Sequence, residues 1–478
     1  MIKTNPDSKV ALLIFFTFLT FYIMTTGGHA YTDEYQQYEV TKRIIDEGRL
    51  DVTEEVAEKY WKGSFKRGVD GKLYAAAPPT WALSLIPFAL LAKSLNLPPV
   101  TWILYGSTMV AGTCSLLFLF SRKLGFSTKL SLTLTVIFGL ATMAWPYSKT
   151  GISPMMGTLS LVGSIYLLYS HRFDADAKKW HFIAGALCAL SVAIRYDYAI
   201  FIPFLILFHF ITIPRDKFSL SSRSLLVIKS RFLSIIFFII PLFILSILVA
   251  LYNHIIWGSV LRSRTVDIVG PSEHTSFVGI FGILVSPYVG LFLFAPITIL
   301  LSISLWDLYK KDRALSFLFV SIFVISLLFY GTLSFWDQGH TWGPRYLFSS
   351  IPLIVISLGS SLERRGKVFS RLVLGLSLVG FFVNSLGALF KWQVAIQEMF
   401  KGKNWYEHFA SAPFFDQSHF MILHQLQVAA KGGFDLFFLH DTTYWLLPVL
   451  SVILVIETWY LLRLVLNSRN SIFLGSVA

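Results

Sequence analysis

Long apolar runs separated by short polar connections alternate along most of the chain. Many of these runs are long enough to cross a membrane, which takes about 20 apolar residues in a helix. The first run covers Val10 to Met24, and the second crossing is expected over Val100 to Phe120. Between them, Thr80 to Leu91 is shorter and follows Pro78 and Pro79, a pattern typical of an interfacial or re-entrant helix. We therefore expect an all-α integral membrane protein, a polytopic bundle of about twelve transmembrane helices.

Lysine and arginine residues cluster on every second connection between the apolar runs. The clusters are Arg122/Lys123/Lys129, Arg172/Lys178/Lys179, Arg215 through Arg231, Lys310/Lys311/Arg313, Arg364/Arg365/Lys367/Arg371 and Arg463/Arg469. Cytoplasmic connections carry an excess of Lys and Arg, so we place these connections and both termini in the cytoplasm. The other connections then face outward, and the first of them is a long loop over residues 27–99.

The first outer loop contains a stretch with helical spacing. Thr32 to Glu47 has Tyr35, Tyr38, Val40, Ile44 and Ile45 near helical spacing, Thr32 as a candidate N-cap and Gly48 as a stop signal. We expect this helix to lie along the membrane surface, so that the loop carries interfacial helices.

Composition supports the membrane assignment and excludes other classes. Hydrophobic residues make up 55% of the 478 positions and charged residues 14%, and the mean hydropathy is +0.64. A soluble domain needs more surface charge. The net charge of +13 does not indicate nucleic acid, because the basic residues lie between spans. Cys114 and Cys188 both lie inside apolar segments, so neither a disulfide framework nor a cysteine metal site is predicted.

Two adjacent carboxylates, Asp33 and Glu34, follow the first span in the stretch YTDEYQQYE. A helix N-terminus favours the ionised form of a nearby carboxylate, which leaves it available as a hydrogen-bond acceptor or as a base. The alternative interpretation is a pair of charges that only stabilises the helix start.

Several cations are expected on the outer side close to the spans, among them Lys149, Arg195 and Arg345. Cations at this depth pair with carboxylates or bind an anion, and the phosphate of a lipid is available there. Pairing within the protein is the alternative, for example between Arg195 and Asp197.

An outer connection near the end of the bundle has the sequence WDQGHTWGPRYLF. Its Asp337, His340 and Trp342 combine hydrogen-bonding groups with an aromatic ring, which suits binding of a sugar. A belt of interfacial aromatic residues explains the tryptophans equally well. Neither a metal-ligand cluster nor a phosphate-binding glycine loop is apparent. No cofactor is predicted, and a divalent cation stays open as an alternative.

The chain resembles the GT-C superfamily of polyprenyl-phosphate-dependent glycosyltransferases, which includes protein O-mannosyltransferases and the aminoarabinose transferases of lipid A. The resemblance runs through most of the chain. Besides the Asp-Glu pair, it rests on DGKLYAAAPPTWALSLIPF at Asp70 to Phe88, WPYSKTGISP at Trp145 to Pro154, RYDYAIFIP at Arg195 to Pro203, LVSPYVGLFLFAP at Leu284 to Pro296 and WGPRYL at Trp342 to Leu347.

The resemblance implies transfer of a sugar from a polyprenyl-phosphate donor to a glycan, lipid or protein acceptor, with an extracytoplasmic active site in the cell membrane. It implies that Asp33 is the catalytic base, with Glu34 beside it. The donor phosphate is then expected at Arg345, Arg195 and Lys149, and the substrate at Tyr74, Tyr147, Asp337, His340 and Trp342. The catalytic module is expected over residues 1–390, followed by an outer loop and a last transmembrane helix over 391–478.

Two positions depart from the family's pattern. Ala76 stands where the family commonly has a lysine that grips phosphate, and Ser153 stands where it often has an acidic residue. These departures leave open a scaffold that binds lipid-linked sugar without turnover. A lipid or solute transporter is the other alternative, although the paired halves with broken helices that mark many transporters are not apparent.

Overall fold

The computed structural model describes residues 6–27, 32–59, 65–94, 101–174, 177–211, 222–260, 276–333, 336, 338–339, 341–400, 419–436 and 445–474. Helices dominate the described residues. The α-helices are α1 (Pro6–Met24), α2 (Thr32–Glu47), α3 (Glu54–Lys59), α4 (Pro79–Ser94), α5 (Thr101–Lys123), α6 (Thr128–Ala141), α7 (Ala144–Ser148), α8 (Pro154–Ser170), α9 (Lys178–Ile194), α10 (Ile202–Ile211), α11 (Ser222–Trp257), α12 (Ser276–Val285), α13 (Leu291–Phe294), α14 (Leu301–Lys311), α15 (Arg313–Gly331), α16 (Ile351–Arg364), α17 (Lys367–Leu389), α18 (Trp392–Met399), α19 (Met421–Ala430) and α20 (Leu446–Leu474).

Three 3-10 helices and three short strands complete the secondary structure of the described residues. The 3-10 helices are Tyr196–Phe201, Pro296–Leu300 and Arg345–Ser350, and the strands are β1 (Asp51–Val52), β2 (Phe65–Arg67) and β3 (Leu73–Ala75). Each of these 3-10 helices runs directly into the α-helix that follows it: Tyr196–Phe201 continues into α10, Pro296–Leu300 into α14 and Arg345–Ser350 into α16.

The structure is that of a helical, polytopic membrane protein. Seven helices among the described residues are long and apolar enough to cross a membrane, and α6 and the segment Tyr196–Ile211 are shorter apolar helices. The fold class is therefore confirmed, whereas the count of about twelve spans is not. One reason is visible at Leu291–Lys311, an apolar stretch that the structure divides into α13, a 3-10 helix and α14. The first two predicted spans correspond to α1 and α5.

The first loop forms a small packed unit on the helical bundle. Helix α2 has the predicted bounds and ends at Gly48, whose φ of 67° is the left-handed conformation common after a helix C-terminus. The loop also contains an antiparallel sheet in the order β1-β3-β2, which the sequence did not predict. Strands of two or three residues are too short for an alternating pattern to appear. Val40 of α2 packs with Phe65 and Val52 in the core of this unit.

Among the described residues, the basic connections after α5, α8, α14 and α16 lie at one end of the bundle. Ion pairs join them, linking Arg122 to Asp7, Arg172 to Asp312, Lys311 to Glu363 and Arg365 to Asp307. The connections predicted to face outward meet instead around α2 and the start of α16, where the candidate site lies. For these described connections the two predicted kinds lie in two different regions, while the side of the membrane on which each region lies stays a prediction.

Candidate functional site

Asp33 and Arg345 lie in contact, although 312 positions separate them. A nitrogen of the Arg345 guanidinium lies 3.4 Å from a carboxylate oxygen of Asp33. Asp33 is in the first turn of α2, and Arg345 begins the 3-10 helix that leads into α16. The Asp33 side chain is 41% exposed, whereas that of Arg345 is 21% exposed. The Asp33 carboxylate is therefore held beside a cation and stays accessible from outside.

Glu34 points away from that contact and into the protein. Its carboxylate accepts a hydrogen bond of 2.7 Å from the backbone N–H of Gly151, and the residue is almost fully buried. The carbonyl of Gly151 accepts a bond from the indole N–H of Trp81 in α4. Glu34 and Trp81 thus fix the connection between α7 and α8 to the first loop. This geometry favours a positioning role for Glu34.

Arg195 lies beside the Asp33–Arg345 contact but has its own carboxylate. Its guanidinium donates two hydrogen bonds to Asp197, which also accepts one from the hydroxyl of Tyr330. The Tyr346 ring stacks on Tyr330 at 4.6 Å between centroids. The guanidinium carbons of Arg195 and Arg345 lie 5.3 and 5.4 Å from the centre of the Tyr346 ring. One aromatic ring thus joins the two cations into a single positive cluster.

Lys149 is buried in a different environment. Its ammonium group lies 3.0 Å from the carboxylate of Asp435 and donates hydrogen bonds to the carbonyls of Ala388 and Phe390. It also lies 4.6 Å from the ring centre of Trp392. The expectation that Lys149 binds the donor phosphate stays a prediction. Its three acceptors favour a structural role, in which it ties the connection after α7 to the segment that ends near Asp435.

Tyr147 and Trp342 shape the turn that carries Arg345. The Tyr147 hydroxyl donates a hydrogen bond to the carbonyl of Gly343, and both aromatic residues are buried. Gly343 has a φ of 74°, and a side chain there would meet Phe294. The Trp342 ring packs edge-on against Phe294. These contacts hold the WGPRYL turn, and the expected role of Tyr147 and Trp342 in substrate binding stays a prediction.

Tyr74 lies in a separate cluster, in β3 of the small sheet. It packs with Ile256 and Trp257 at the end of α11, and its hydroxyl donates a hydrogen bond to Asp70. Burial of the ring, together with that bond, raises the pKa of Tyr74 to about 12. The phenol is therefore neutral and acts as a donor. The structure does not bring Tyr74 into contact with Asp33 or Arg345.

Sequence reasoning missed Gln338. Its side-chain oxygen accepts a 2.7 Å hydrogen bond from the backbone N–H of Tyr346, at the start of the 3-10 helix that carries Arg345. Gln338 is buried, and its φ of 67° is unusual for a residue with a side chain. The Nε2 of Gln338 and the Nε of Arg345 are buried N–H donors with no hydrogen-bond partner in the described part of the chain. The Gln-Gly step in the quoted motif was the available signal.

The remaining expectations concern two residues of the WDQGHTWGPRYLF connection, a metal site and the position of Ser153. Asp337 and His340 lie outside the described residues. No group of three or more His, Cys, Asp or Glu side chains that could hold a metal ion occurs within the described residues. Ser153 is a buried residue at the start of α8 and provides no carboxylate there.

These features define a class: a polytopic membrane protein whose first extramembrane loop folds onto the start of a late helix and contributes a carboxylate beside an arginine. The fold is that of the GT-C glycosyltransferases. The protein is similar to ArnT from Cupriavidus metallidurans bound to undecaprenyl phosphate, with a TM-score of 0.51 and 13% identity over 96% of this chain and 73% of that one. At this identity the likeness shows the fold, and it confirms at that level the resemblance inferred from the motifs.

Two further solved structures are similar at lower scores. ArnT from the same organism in the apo state gives a TM-score of 0.48 and 12% identity over 96% of this chain and 72% of that one. The oligosaccharyltransferase of Archaeoglobus fulgidus in the apo form gives a TM-score of 0.48 and 10% sequence identity, over 86% of this chain and 60% of that one. No protein-family model matches the sequence, and no curated protein matches it significantly.

Proposed function

We propose that the protein transfers a sugar from a polyprenyl-phosphate-linked donor to a hydroxyl or amine of a glycan, lipid or protein acceptor. The reaction takes place on the extracytoplasmic side of the cell membrane and inverts the anomeric carbon. The observation that carries the proposal is the contact between Asp33 and Arg345, a partly exposed carboxylate beside a less exposed guanidinium. The likeness to ArnT, which is bound to undecaprenyl phosphate in its crystal structure, supports a polyprenyl-phosphate partner.

In the proposed reaction the acceptor oxygen or nitrogen attacks the anomeric carbon of the donor. The bond from that carbon to the phosphate oxygen breaks, and the bonding electrons leave with the polyprenyl phosphate. Asp33 takes the proton of the attacking group. Because attack and departure occur on opposite faces of the sugar, a single displacement inverts the anomeric configuration.

Donor binding provides a way to free the base. The 3.4 Å contact between Asp33 and Arg345 is long for a charge-assisted hydrogen bond. The donor phosphodiester carries a single negative charge, as a carboxylate does, but the leaving phosphate gains a second charge as its bond to the sugar breaks, which strengthens its pairing with the planar guanidinium. We expect the phosphate to take Arg345 from Asp33, which leaves Asp33 ionised and available to the acceptor.

Arg345 is the main phosphate ligand in this proposal, and Arg195 adds positive charge from the other side of Tyr346. The unpartnered N–H groups of Arg345 and Gln338 offer two further donors for an anion. In a water-poor site, one such donor can stabilise a developing negative charge by roughly 3 kcal/mol. Glu34 and Lys149 act as positioning residues.

The first experiment identifies the substrate. Mass spectrometry of cell-surface glycans and lipid-linked sugars should show, in a deletion strain, a lost surface modification and an accumulated polyprenyl-linked sugar. The accumulated lipid then serves as donor for the purified protein. A strain with unchanged glycans and lipids would contradict the proposed transfer. Donor binding without turnover in the wild-type protein would favour the non-catalytic scaffold.

Asp33→Asn is the test of the catalytic base, because it preserves shape and removes basicity. Loss of a general base lowers the rate roughly a hundred- to ten-thousand-fold. Transfer should fall by that amount, whereas binding of undecaprenyl phosphate should persist because Arg345 loses its competitor. Asp46→Asn is the matched control on the same helix, since Asp46 pairs with Lys93 at the surface.

Two results would contradict these roles. A folded Asp33→Asn protein that transfers sugar at nearly the parental rate would exclude Asp33 as the base. Equal binding of undecaprenyl phosphate by the parent and by Arg345→Ala would exclude Arg345 as the phosphate ligand.

A further inference from the structure

An apolar groove of about 770 Å³ runs between α6, α17 and α20, away from the candidate site. Helix α6 contributes Val136, Ile137 and Leu140 to its wall, and α17 contributes residues at intervals of three and four from Ser370 to Phe381. The hydroxyls of Thr133 and Ser377 bond to carbonyls of their own helices, so these residues add little polarity to the wall.

The groove lies on helices that a bilayer surrounds, and much of its apolar surface is exposed in the protein. Leu374 and Leu378 of α17 and Leu462 of α20 are each at least half exposed. Helix α6 is roughly 20 Å long, whereas one leaflet contributes about 15 Å of hydrocarbon. A lipid chain from one leaflet therefore fits along the groove.

The two ends of the groove differ in charge. Lys129 lines one end, at the first turn of α6. Lys367 begins α17, three residues before Ser370 and seven before Leu374, so it shares the face that lines the groove. Neither lysine makes an ion pair within the described part of the chain. At the other end, Phe381 stacks on Trp145 at 5.4 Å and closes the groove towards the candidate site.

We propose that this groove binds an anionic phospholipid, with its phosphate at Lys129 and Lys367 and one acyl chain along α6 and α17. The position of the two lysines at one end of the groove favours a phospholipid over the polyprenyl chain of a donor as the occupant. The donor phosphate has to reach Arg345, beyond the end closed by Phe381 and Trp145, whereas the free cations lie at the opposite end. The choice between these two occupants rests on the proposed role of Arg345 as the donor phosphate ligand, whereas phospholipid binding at the groove does not require the transfer reaction.

The test is lipid binding to the purified full-length protein by native mass spectrometry. Phosphatidylglycerol and phosphatidylcholine with identical acyl chains are the probes, so that only the headgroup charge differs. We expect selective retention of phosphatidylglycerol. The double variant Lys129→Gln/Lys367→Gln should lower the affinity for phosphatidylglycerol about thirtyfold and leave the affinity for phosphatidylcholine unchanged.

Two controls make the result specific to the groove. Lys178→Gln/Lys179→Gln removes two exposed lysines from the first turn of α9 and should not change retention. Val136→Trp fills the groove wall and should displace phosphatidylglycerol while the lysines remain, in a protein whose thermal unfolding midpoint matches that of the parent.

Three outcomes would overturn the proposal. They are equal retention of both phospholipids by the parent, unchanged retention of phosphatidylglycerol in Lys129→Gln/Lys367→Gln, and displacement of phosphatidylglycerol from the parent by undecaprenyl phosphate in equal amount. The last result would assign the groove to the donor's polyprenyl chain.

Discussion

At the scale of single residues, Gln338 combines an unfavourable backbone with a defined hydrogen bond. A left-handed φ at a residue with a side chain costs about 1–3 kcal/mol and persists only where the surroundings impose it. Here the side-chain oxygen satisfies the N–H of Tyr346, which has no partner within its own helix so near the start. Because Arg345 directly precedes Tyr346 in the chain, this hydrogen bond helps to fix the position of Arg345.

We expect Gln338→Gly to raise the KM for the lipid-linked donor about tenfold and to leave kcat close to the parental value. Glycine accepts the left-handed φ without strain, so the change removes the side chain and its hydrogen bond but not the turn. Gln338→Glu keeps an acceptor for Tyr346 and adds a negative charge, and its KM should rise further. An unchanged donor KM in Gln338→Gly would exclude this role.

The sequence predicted Asp33 and Arg345 as site residues but not their contact, which is formed between residues 312 positions apart. They could be predicted because a carboxylate at a helix start and an arginine beside a span can both be recognised from the sequence alone. Gln338 was not visible in this way, because its importance depends on a backbone conformation and on one bond to Tyr346. The burial of Lys149 against Asp435 also depends on tertiary structure.

At the scale of elements, local signals predicted α2 well and the small sheet poorly. Helix α2 is delimited by residues next to it in sequence, since Gly48 ends it with a left-handed φ and an N–H bonded to the carbonyl of Ile44. Strand β3 instead pairs with β1 and β2 across intervening segments, and each strand is too short to show a period. Some apolar stretches are divided into 3-10 and α-helical parts, and for this reason helix length does not confirm the predicted count of about twelve spans.

The role of Gly48 in ending α2 can be tested by comparing an alanine substitution there with one at a second glycine that also has open space around it. Gly48→Ala places a side chain at a φ of 67° and should destabilise the protein by roughly 1 kcal/mol, seen as a lower thermal unfolding midpoint in detergent. Gly375→Ala is the control, because Gly375 lies inside α17, has nothing within 4 Å of an added Cβ and lacks a left-handed φ. That change should be neutral or stabilising. Equal effects of the two changes would contradict the explanation.

At the scale of the whole molecule, the position of α4 decides how the chain is arranged in the membrane. Its 16 residues extend over about 24 Å, less than the roughly 30 Å of a bilayer core. Lys93 at the end of α4 pairs with Asp46 at the end of α2. The ends of α2 and α4 therefore lie together, which supports the prediction that residues 27–99 stay on one side.

Cysteine labelling tests this arrangement. We expect Lys93→Cys to react with a membrane-impermeant maleimide in intact cells, and Lys178→Cys to react only after permeabilisation. The native Cys114 and Cys188 are buried, so they should contribute little background. Labelling of Lys93→Cys only after permeabilisation would invert the layout and with it the proposed side of the active site.

The ion pair between Lys149 and Asp435 joins the two parts of the chain that the sequence divides at residue 390. The boundary stays a prediction, but this pair crosses it, and both side chains are almost completely buried. Removing one partner of a buried pair leaves an uncompensated charge and costs about 3–5 kcal/mol. Lys149→Met and Asp435→Asn should each lower the unfolding midpoint strongly, and the double variant should recover most of the loss because no charge is left unpaired. If the two losses simply add in the double variant, the pair does not couple the parts, and Lys149 becomes available again as a ligand for the donor phosphate.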